Sequence, residues 1–173
     1  MRVRFNMKRI AVISLSLIFL YGCSANPIVH NPEMLPDSEL ARVSTEDIGL
    51  WLSGDQLFTN FTDVRDGDGK EIAAVSFMTD LPSTFILSEG KYFFTIKCSN
   101  SNGIGHGVYS YSRIYTTVES GEEYVIYCLS RSEKNFLGIS TIRQMIAFIS
   151  TSENYERERA ENVIRLRELK EDD

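Results

Sequence analysis

The chain has 173 residues, with 24 acids against 18 bases, a formal charge of −6 and three cysteines. That length is enough for one domain with a true core. The acidic balance argues against nucleic-acid partners and against electrostatic docking on anionic lipid or other polyanions.

The first nine residues hold Arg2, Arg4, Lys8 and Arg9 and no acid, and Ile10–Leu20 is apolar except for Ser14 and Ser16. This is a positive segment followed by an apolar run of signal length, too short for a membrane span of about 20 residues. The run ends in Leu20-Tyr21-Gly22-Cys23. That stretch resembles the lipobox of bacterial lipoproteins, with Tyr21 bulkier than the small residue usual there. The resemblance implies cleavage after Gly22, so that residues 1–22 are a signal peptide. It also implies a diacylglycerol thioether on Cys23 and an acyl chain, such as palmitate, on its amino group. Ser24 in place of an Asp implies the outer membrane, facing the periplasm. The alternative is an ordinary secretory peptide or a buried helix with Cys23 incidental. Loss of the signal would leave 14 bases against 24 acids, a formal charge of −10. Lipid, and no basic patch, is then the expected membrane contact.

Residues 23–38 carry Pro27, Pro32 and Pro36. Proline at this density favours extended chain over helix or sheet ladders, so the stretch reads as a lipidated tether. Residues 24–38 would reach about 45 Å if fully extended. His30, within it, reads as solvated and not as a metal ligand.

From Glu39 short apolar and aromatic runs alternate with turn residues, the texture of an all-β domain over residues 39–150. Strands are expected at Leu40–Thr45, Leu57–Val64, Glu71–Met78, Thr84–Leu87, Lys91–Cys98, Val108–Thr116 and Glu123–Ser130. Leu50-Trp51-Leu52 fits a strand end or one helical turn. Arg65-Asp66-Gly67-Asp68-Gly69-Lys70 suits a hairpin turn, and Ser88-Glu89-Gly90 and Glu119-Ser120-Gly121-Glu122 suit two more turns. In Lys91–Cys98, Tyr92, Phe94, Ile96 and Cys98 share one face, with Phe93 an exception among the polar residues opposite. Tyr109, Tyr111, Arg113 and Tyr115 share a face of the next strand, and Tyr124, Ile126 and Cys128 a face of the one after. Residues 139–149 fit strand or helix, strand being preferred. Residues 151–173 predict a charged C-terminal helix, capped by Ser152, with Glu153/Arg157 and Glu161/Arg165 pairs and an apolar stripe of Ala160, Val163, Ile164, Leu166 and Leu169. Packing is expected at its start. The expected architecture is a small antiparallel β-sandwich with a C-terminal α-helix.

Two segments, LSEGKYFFTIKC and VESGEEYVIYC, each run from a glycine turn through an aromatic strand to a cysteine. This similarity predicts equivalent inward faces for Cys98 and Cys128. With DSELARV and DVRDGDGKEI, these segments resemble a broad group of small envelope lipoproteins with PEGA-like β-sandwich domains. The resemblance covers roughly residues 38–130 and implies a fold, with no site to transfer.

Cys98 and Cys128 suit a disulfide in an oxidising envelope compartment. A reactive thiol pair and a metal site using His106 are the alternatives. Asp63, Asp66 and Asp68 suggest a calcium loop, but the EF-hand spacing would place Val64 and Val75 at ligand positions, so the pattern fails. No other metal or cofactor pattern is present. Ser99–Gly107 is longer than a hairpin needs and leads into the tyrosine face, so His106, Tyr109, Tyr111 and Tyr115 are the candidate binding residues. No nucleophile–base or metal-hydrolase motif occurs, and the chain is not expected to be an enzyme. The expected role is a lipid-anchored envelope protein acting by binding or structural support, its partners the membrane and another envelope protein. SGEEY at Ser120–Tyr124 resembles the S-G-x-x-Y element of membrane-bound lysozyme inhibitors, which gives the rival reading. An envelope hydrolase with an unrecognised site is a further alternative.

Overall fold

The computed structural model describes residues 26–46, 57–76, 80–100, 107–134 and 140–168. Residues 1–25 with Cys23, Leu50–Leu52, Met78, the loop centre with His106, and Leu169 lie outside them. In chain order the elements are β1 (Ile28–His30), a single 3-10 turn (Asp37–Glu39), β2 (Ala41–Thr45), β3 (Leu57–Asp66), β4 (Glu71–Ala74), β5 (Thr84–Leu87), β6 (Gly90–Asn100), β7 (Val108–Val118), β8 (Glu123–Lys134), β9 (Ser140–Thr151) and α1 (Tyr155–Glu168).

The period-two pattern of β6 sets the architecture. Tyr92, Phe94, Ile96 and Cys98 are buried, whereas Phe93 faces outward. β6 pairs antiparallel with β3 on one side and β7 on the other, completing a four-stranded sheet ordered β4-β3-β6-β7. Over its inner face lies a five-stranded sheet ordered β1-β5-β2-β8-β9. The chain is thus a β-sandwich with a C-terminal helix. Its strands are not all antiparallel: β1 runs parallel to β5, and β2 parallel to β8. The core between the layers includes Val43, Phe85, Leu87 and Ile126 from one sheet and Phe61, Val64, Phe94 and Ile96 from the other. Phe61 meets Phe85 edge-on across the layers at 4.8 Å.

Bulges explain where simple alternation breaks. In β3, a register shift between Phe61 and Asp63 moves the inward set from Leu57, Thr59 and Phe61 to Val64. An extra residue changes the parity of every later side chain.

The segment expected to be a free tether through residue 38 is docked from Ile28. Three residues pair with Phe85–Leu87 on the sheet edge, and the Ser88 N–H bonds to the His30 carbonyl at 3.1 Å. Pro27 and Pro32 flank this strand and do not interrupt it, because proline is tolerated beside a short edge strand.

The turn at Asp66 forms as expected. Its Oδ1 accepts the N–H groups of Asp68 (3.1 Å) and Lys70 (2.9 Å), and Gly69 takes a φ of +82°. The other two turns are not hairpins. Ser88–Gly90 leads from β5 into β6, and Glu119–Glu122 from β7 into β8, so each carries the chain from one sheet to the other. A tyrosine hydroxyl seals each corner. Tyr92 donates to the Ser88 carbonyl at 2.9 Å, and Tyr124 accepts the Glu119 N–H at 3.1 Å. Gly121 has φ +72°, and a Cβ there would stand 3.2 Å from the Ser38 carbonyl oxygen.

Residues 140–151 are a strand, as preferred. The helix begins at Tyr155, three residues beyond the expected Ser152 cap, because the Ser152 N–H bonds to the Glu123 carbonyl at 2.7 Å. Arg157 meets Asn154 (2.8 Å) and Glu158 (3.8 Å) instead of Glu153. The helix covers the outer side of β8 and β9, burying Tyr127, Leu129 and Leu166 with Phe148, Tyr155 and Val163 around them. Packing therefore extends along the helix to Leu166 and is not confined to its start. Of the expected stripe, Ala160 and Ile164 are exposed.

Candidate functional site: the outer face of the four-stranded sheet

The outward side chains of β3, β6 and β7 form an array whose order follows from the register. Arg65, Phe93 and Tyr115 stand in one cross-strand row, and Asp63, Thr95 and Arg113 in the next. Asn60, Lys97 and Tyr111 make the third row, and Phe58, Ser99 and Tyr109 the fourth. Successive rows lie two residues apart along β6 and β7, about 6.7 Å. These groups share the outer face because the residues alternating with them in β7, Ser110 and Ser112 among them, point inward. Ser110 and Ser112 point at β9, where Ser110 Oγ donates to the Met145 carbonyl (2.9 Å) and Ser112 Oγ accepts the Ala147 N–H (3.1 Å). The sheets are stitched there, and the tyrosines alternating with these serines are turned to solvent.

Tyr109, Tyr111 and Tyr115 are 61%, 59% and 55% exposed, so they are not half-buried sheet packing. Tyr115 stacks on Phe93 at 4.4 Å, and Tyr109 meets Tyr111 edge-on at 5.8 Å. Lys97 Nζ lies 5.4 Å from the Tyr109 ring centre, within cation–π range.

The charge on this face is opposite to that of the chain. Arg65 binds Asp63 at 2.9 Å and lies 3.6 Å from Glu71, and these contacts hold its guanidinium above its ordinary pKa, the Asp63 hydrogen bond first. Lys91, Lys97 and Arg113 have no ion-pair partner among the described residues. Between Arg65 and Arg113 the surface sinks into a depression of about 380 Å³, with Asp63, Phe93 and Thr95 in its lining. An acidic average charge hides this local basic strip.

The other candidates are placed as follows. Cys98 and Cys128 face each other across the core with sulfurs at bonding distance, 2.03 Å, on the equivalent inward faces expected of them. Asp63 and Asp66, two of the acids of the failed calcium pattern, are engaged with Arg65 and with turn amides. Among the described residues no cluster of His, Cys, Asp and Glu is arranged to hold a metal. Ser99 and Asn100, expected in the loop, belong to β6 and pair with Tyr109 and Val108, and a Cβ on Gly107 would come within 2.8 Å of the Asn100 carbonyl oxygen. Ser120 and Tyr124 of SGEEY are corner residues: Ser120 Oγ donates to the Glu39 carbonyl at 2.9 Å, and Tyr124 seals the turn.

A cavity of about 880 Å³ opens at one end of the sandwich beside Glu46, Thr59 and Tyr155. Glu46 there accepts a hydrogen bond from Tyr155 and lies 3.3 Å from Arg159, a bond that ties the helix to the end of β2.

No family model, curated protein or solved structure matches the chain. Sequence reasoning missed Arg65, Phe93 and Lys97 as members of the tyrosine face. The signal was Phe93 itself, the aromatic that broke the alternation of an otherwise regular strand.

Proposed function

We propose that this is a lipid-anchored cell-envelope protein that acts by binding through the outer face of its four-stranded sheet. The anchor rests on the basic start, the apolar run and the Gly22-Cys23 junction. The observation that carries the binding role is the set of exposed aromatics beside cations that have no ion-pair partner among the described residues. Large exposed aromatic groups that contribute little to a core are a common mark of an interaction surface.

The anchor would hold the domain close. From Cys23 to Ile28, where docking begins, five residue steps span at most about 17 Å. β1 belongs to the five-stranded sheet, so the tether leaves from the layer that does not carry the aromatic face.

Two measurements test this reading. The mature protein should carry acyl mass and partition into detergent, and Cys23→Ser should remain uncleaved and unacylated. A photo-crosslinking residue at position 111 should capture an envelope component that the same residue at position 164, on the exposed side of α1, does not. A water-soluble, normally processed Cys23→Ser product would remove the anchor. Equal capture at both positions would remove the face.

A further inference from the structure

We infer that the outer sheet face binds an anionic glycan, a polysaccharide whose sugar rings carry carboxylates. The inference deepens the binding role proposed above and rests on it. Two features of the face must be met by one ligand. The first is ring surface: Phe93, Tyr115, Tyr111 and Tyr109 descend through four rows over about 20 Å of strand, the length of a short oligosaccharide. The apolar C–H face of a pyranose packs on such rings, and its rim of hydroxyls needs hydrogen-bonding groups beside them. Asp63 and Thr95 stand in the row between those of Phe93 and Tyr111, and Asn60 stands in the row of Tyr111.

The second feature is charge. Arg65 is already engaged by Asp63 and Glu71, whereas Arg113, across the depression, is free of any ion pair among the described residues. A carboxylate on a ring seated by Phe93 would meet the fork of Arg113, the side chain best shaped to bind it in two places. Lys97, one row on, is placed for the next anionic group. Asp63, though bound to Arg65, retains lone pairs for a sugar hydroxyl.

Other partners fit less of this. A neutral glycan leaves the unpaired cations unexplained, and an acidic polypeptide leaves the four rings unexplained. The core of a protein–protein interface favours arginine and aromatics but is depleted of lysine and aspartate, yet here Lys97 and Asp63 stand among the rings. Nucleic acid also offers rings and anions. Its affinity depends on neutralising many phosphates, and among the described residues this face offers three cations without an ion pair, Lys91, Lys97 and Arg113.

The test uses the full chain purified in detergent, with polygalacturonate as the anionic glycan. Pullulan serves as a neutral glycan, poly-L-glutamate as an acidic polypeptide and oligo(dT) as nucleic acid. Polygalacturonate should bind at least ten-fold more tightly than each of the other three. Arg113→Gln and Tyr111→Ser should each weaken it about five-fold or more, with unfolding temperatures near wild type, while Ile164→Ser leaves it unchanged. Equal binding of poly-L-glutamate or oligo(dT) would overturn the glycan, and equal binding of pullulan would overturn the carboxylate. Absence of polygalacturonate binding, or binding indifferent to Arg113→Gln and Tyr111→Ser, would overturn the inference. Cys23→Ser assayed alongside should bind as the wild type does, so a failed anchor and a failed glycan site give different results.

Discussion

Cys98 and Cys128 stand on opposite sheets with Cα atoms 5.8 Å apart, each on a strand that starts from a corner sealed by a tyrosine hydroxyl. The same local plan is used twice: a glycine turn, a tyrosine that bonds back to the turn, then inward residues leading to a cysteine. Because the two corners switch sheets in opposite directions, the two strands face each other, and the sulfurs meet in the core.

The first prediction follows from that pairing. Unreduced protein taken from its envelope should yield one peptide pair joined through Cys98 and Cys128. The bridge spans a separation of 30 residues. Closing a loop of that size restricts the unfolded chain, so Cys98→Ser with Cys128→Ser should lose about 3–4 kcal/mol in denaturant unfolding. Two free thiols in the native protein, or a loss below about 1 kcal/mol, would contradict it.

A second prediction concerns Tyr127, which is fully buried under α1 and accepts a hydrogen bond from Asn162 Nδ2 at 3.0 Å. Tyr127→Phe keeps the ring against Phe148 and Tyr155 and removes one bond, at a cost of about 1 kcal/mol. Tyr127→Ala empties the space beneath the helix and should cost about 3–5 kcal/mol. Urea unfolding of the two variants checks the difference. Similar losses would mean that the helix does not depend on this ring.

Tyr127 also shows what the sequence can and cannot disclose. β6 was legible because one side is core and the other is solvent, which writes alternation into the residues. β8 is covered on both sides, Tyr124, Ile126 and Cys128 by the opposite sheet and Tyr127 and Leu129 by the helix. Its sequence is then a continuous apolar run from Tyr124 to Leu129, so alternation groups Tyr124, Ile126 and Cys128 on one face but does not say what covers the other. β9 was ambiguous for a related reason. Met145, Ala147 and Ile149 face the core, Ile146 and Phe148 face the helix, and a register shift at Arg131/Ser132 places Ile142 on the core side out of parity. The parallel pairing of β2 with β8 joins residues about eighty positions apart and leaves no local mark. The tyrosine face was legible, since exposed alternation is a local property. The basic strip on it was not, because Arg65, Lys97 and Arg113 come from three strands that only the register brings together.

The third prediction is a loss of stability in alkali. Burial, followed by the hydrogen bond to Glu46 and its charge, pushes the Tyr155 hydroxyl above its ordinary pKa, while Arg159 opposes this. Burial also raises Tyr92. A raised tyrosine stays protonated in the folded state when the unfolded chain has already lost its proton. Its contribution is therefore complete below about pH 10, the unfolded value, and is lost as pH rises toward the folded one. Urea unfolding should show the wild type weakening steadily above about pH 10. Tyr155→Phe should be less stable than wild type at neutral pH, having lost the bond to Glu46, and should lose less stability in alkali. Equal slopes would show that Tyr155 does not govern the alkaline limb.

The fourth prediction separates what the tyrosine face does for folding from what it does for recognition. Tyr109 and Tyr111 are mostly exposed, and their contacts are with each other and with Lys97 at the surface. Changing an exposed side chain away from the core alters stability by about 0.5 kcal/mol, and a cross-strand surface contact adds about 0.2–1 kcal/mol. Tyr111→Ser should therefore lose less than about 1 kcal/mol in urea unfolding. Tyr115→Ser should lose slightly more, because it also gives up the stack on Phe93. Phe94→Ala, one residue along from Phe93 and fully buried, should lose about 3–5 kcal/mol in the same measurement. The contrast matters because the residues of one strand are sorted by parity alone: the inward set holds the sandwich together, and the outward set is free to be chosen for a ligand. A loss above about 2 kcal/mol for Tyr111→Ser would place that ring among the residues the fold requires and would remove the reason to assign it to binding.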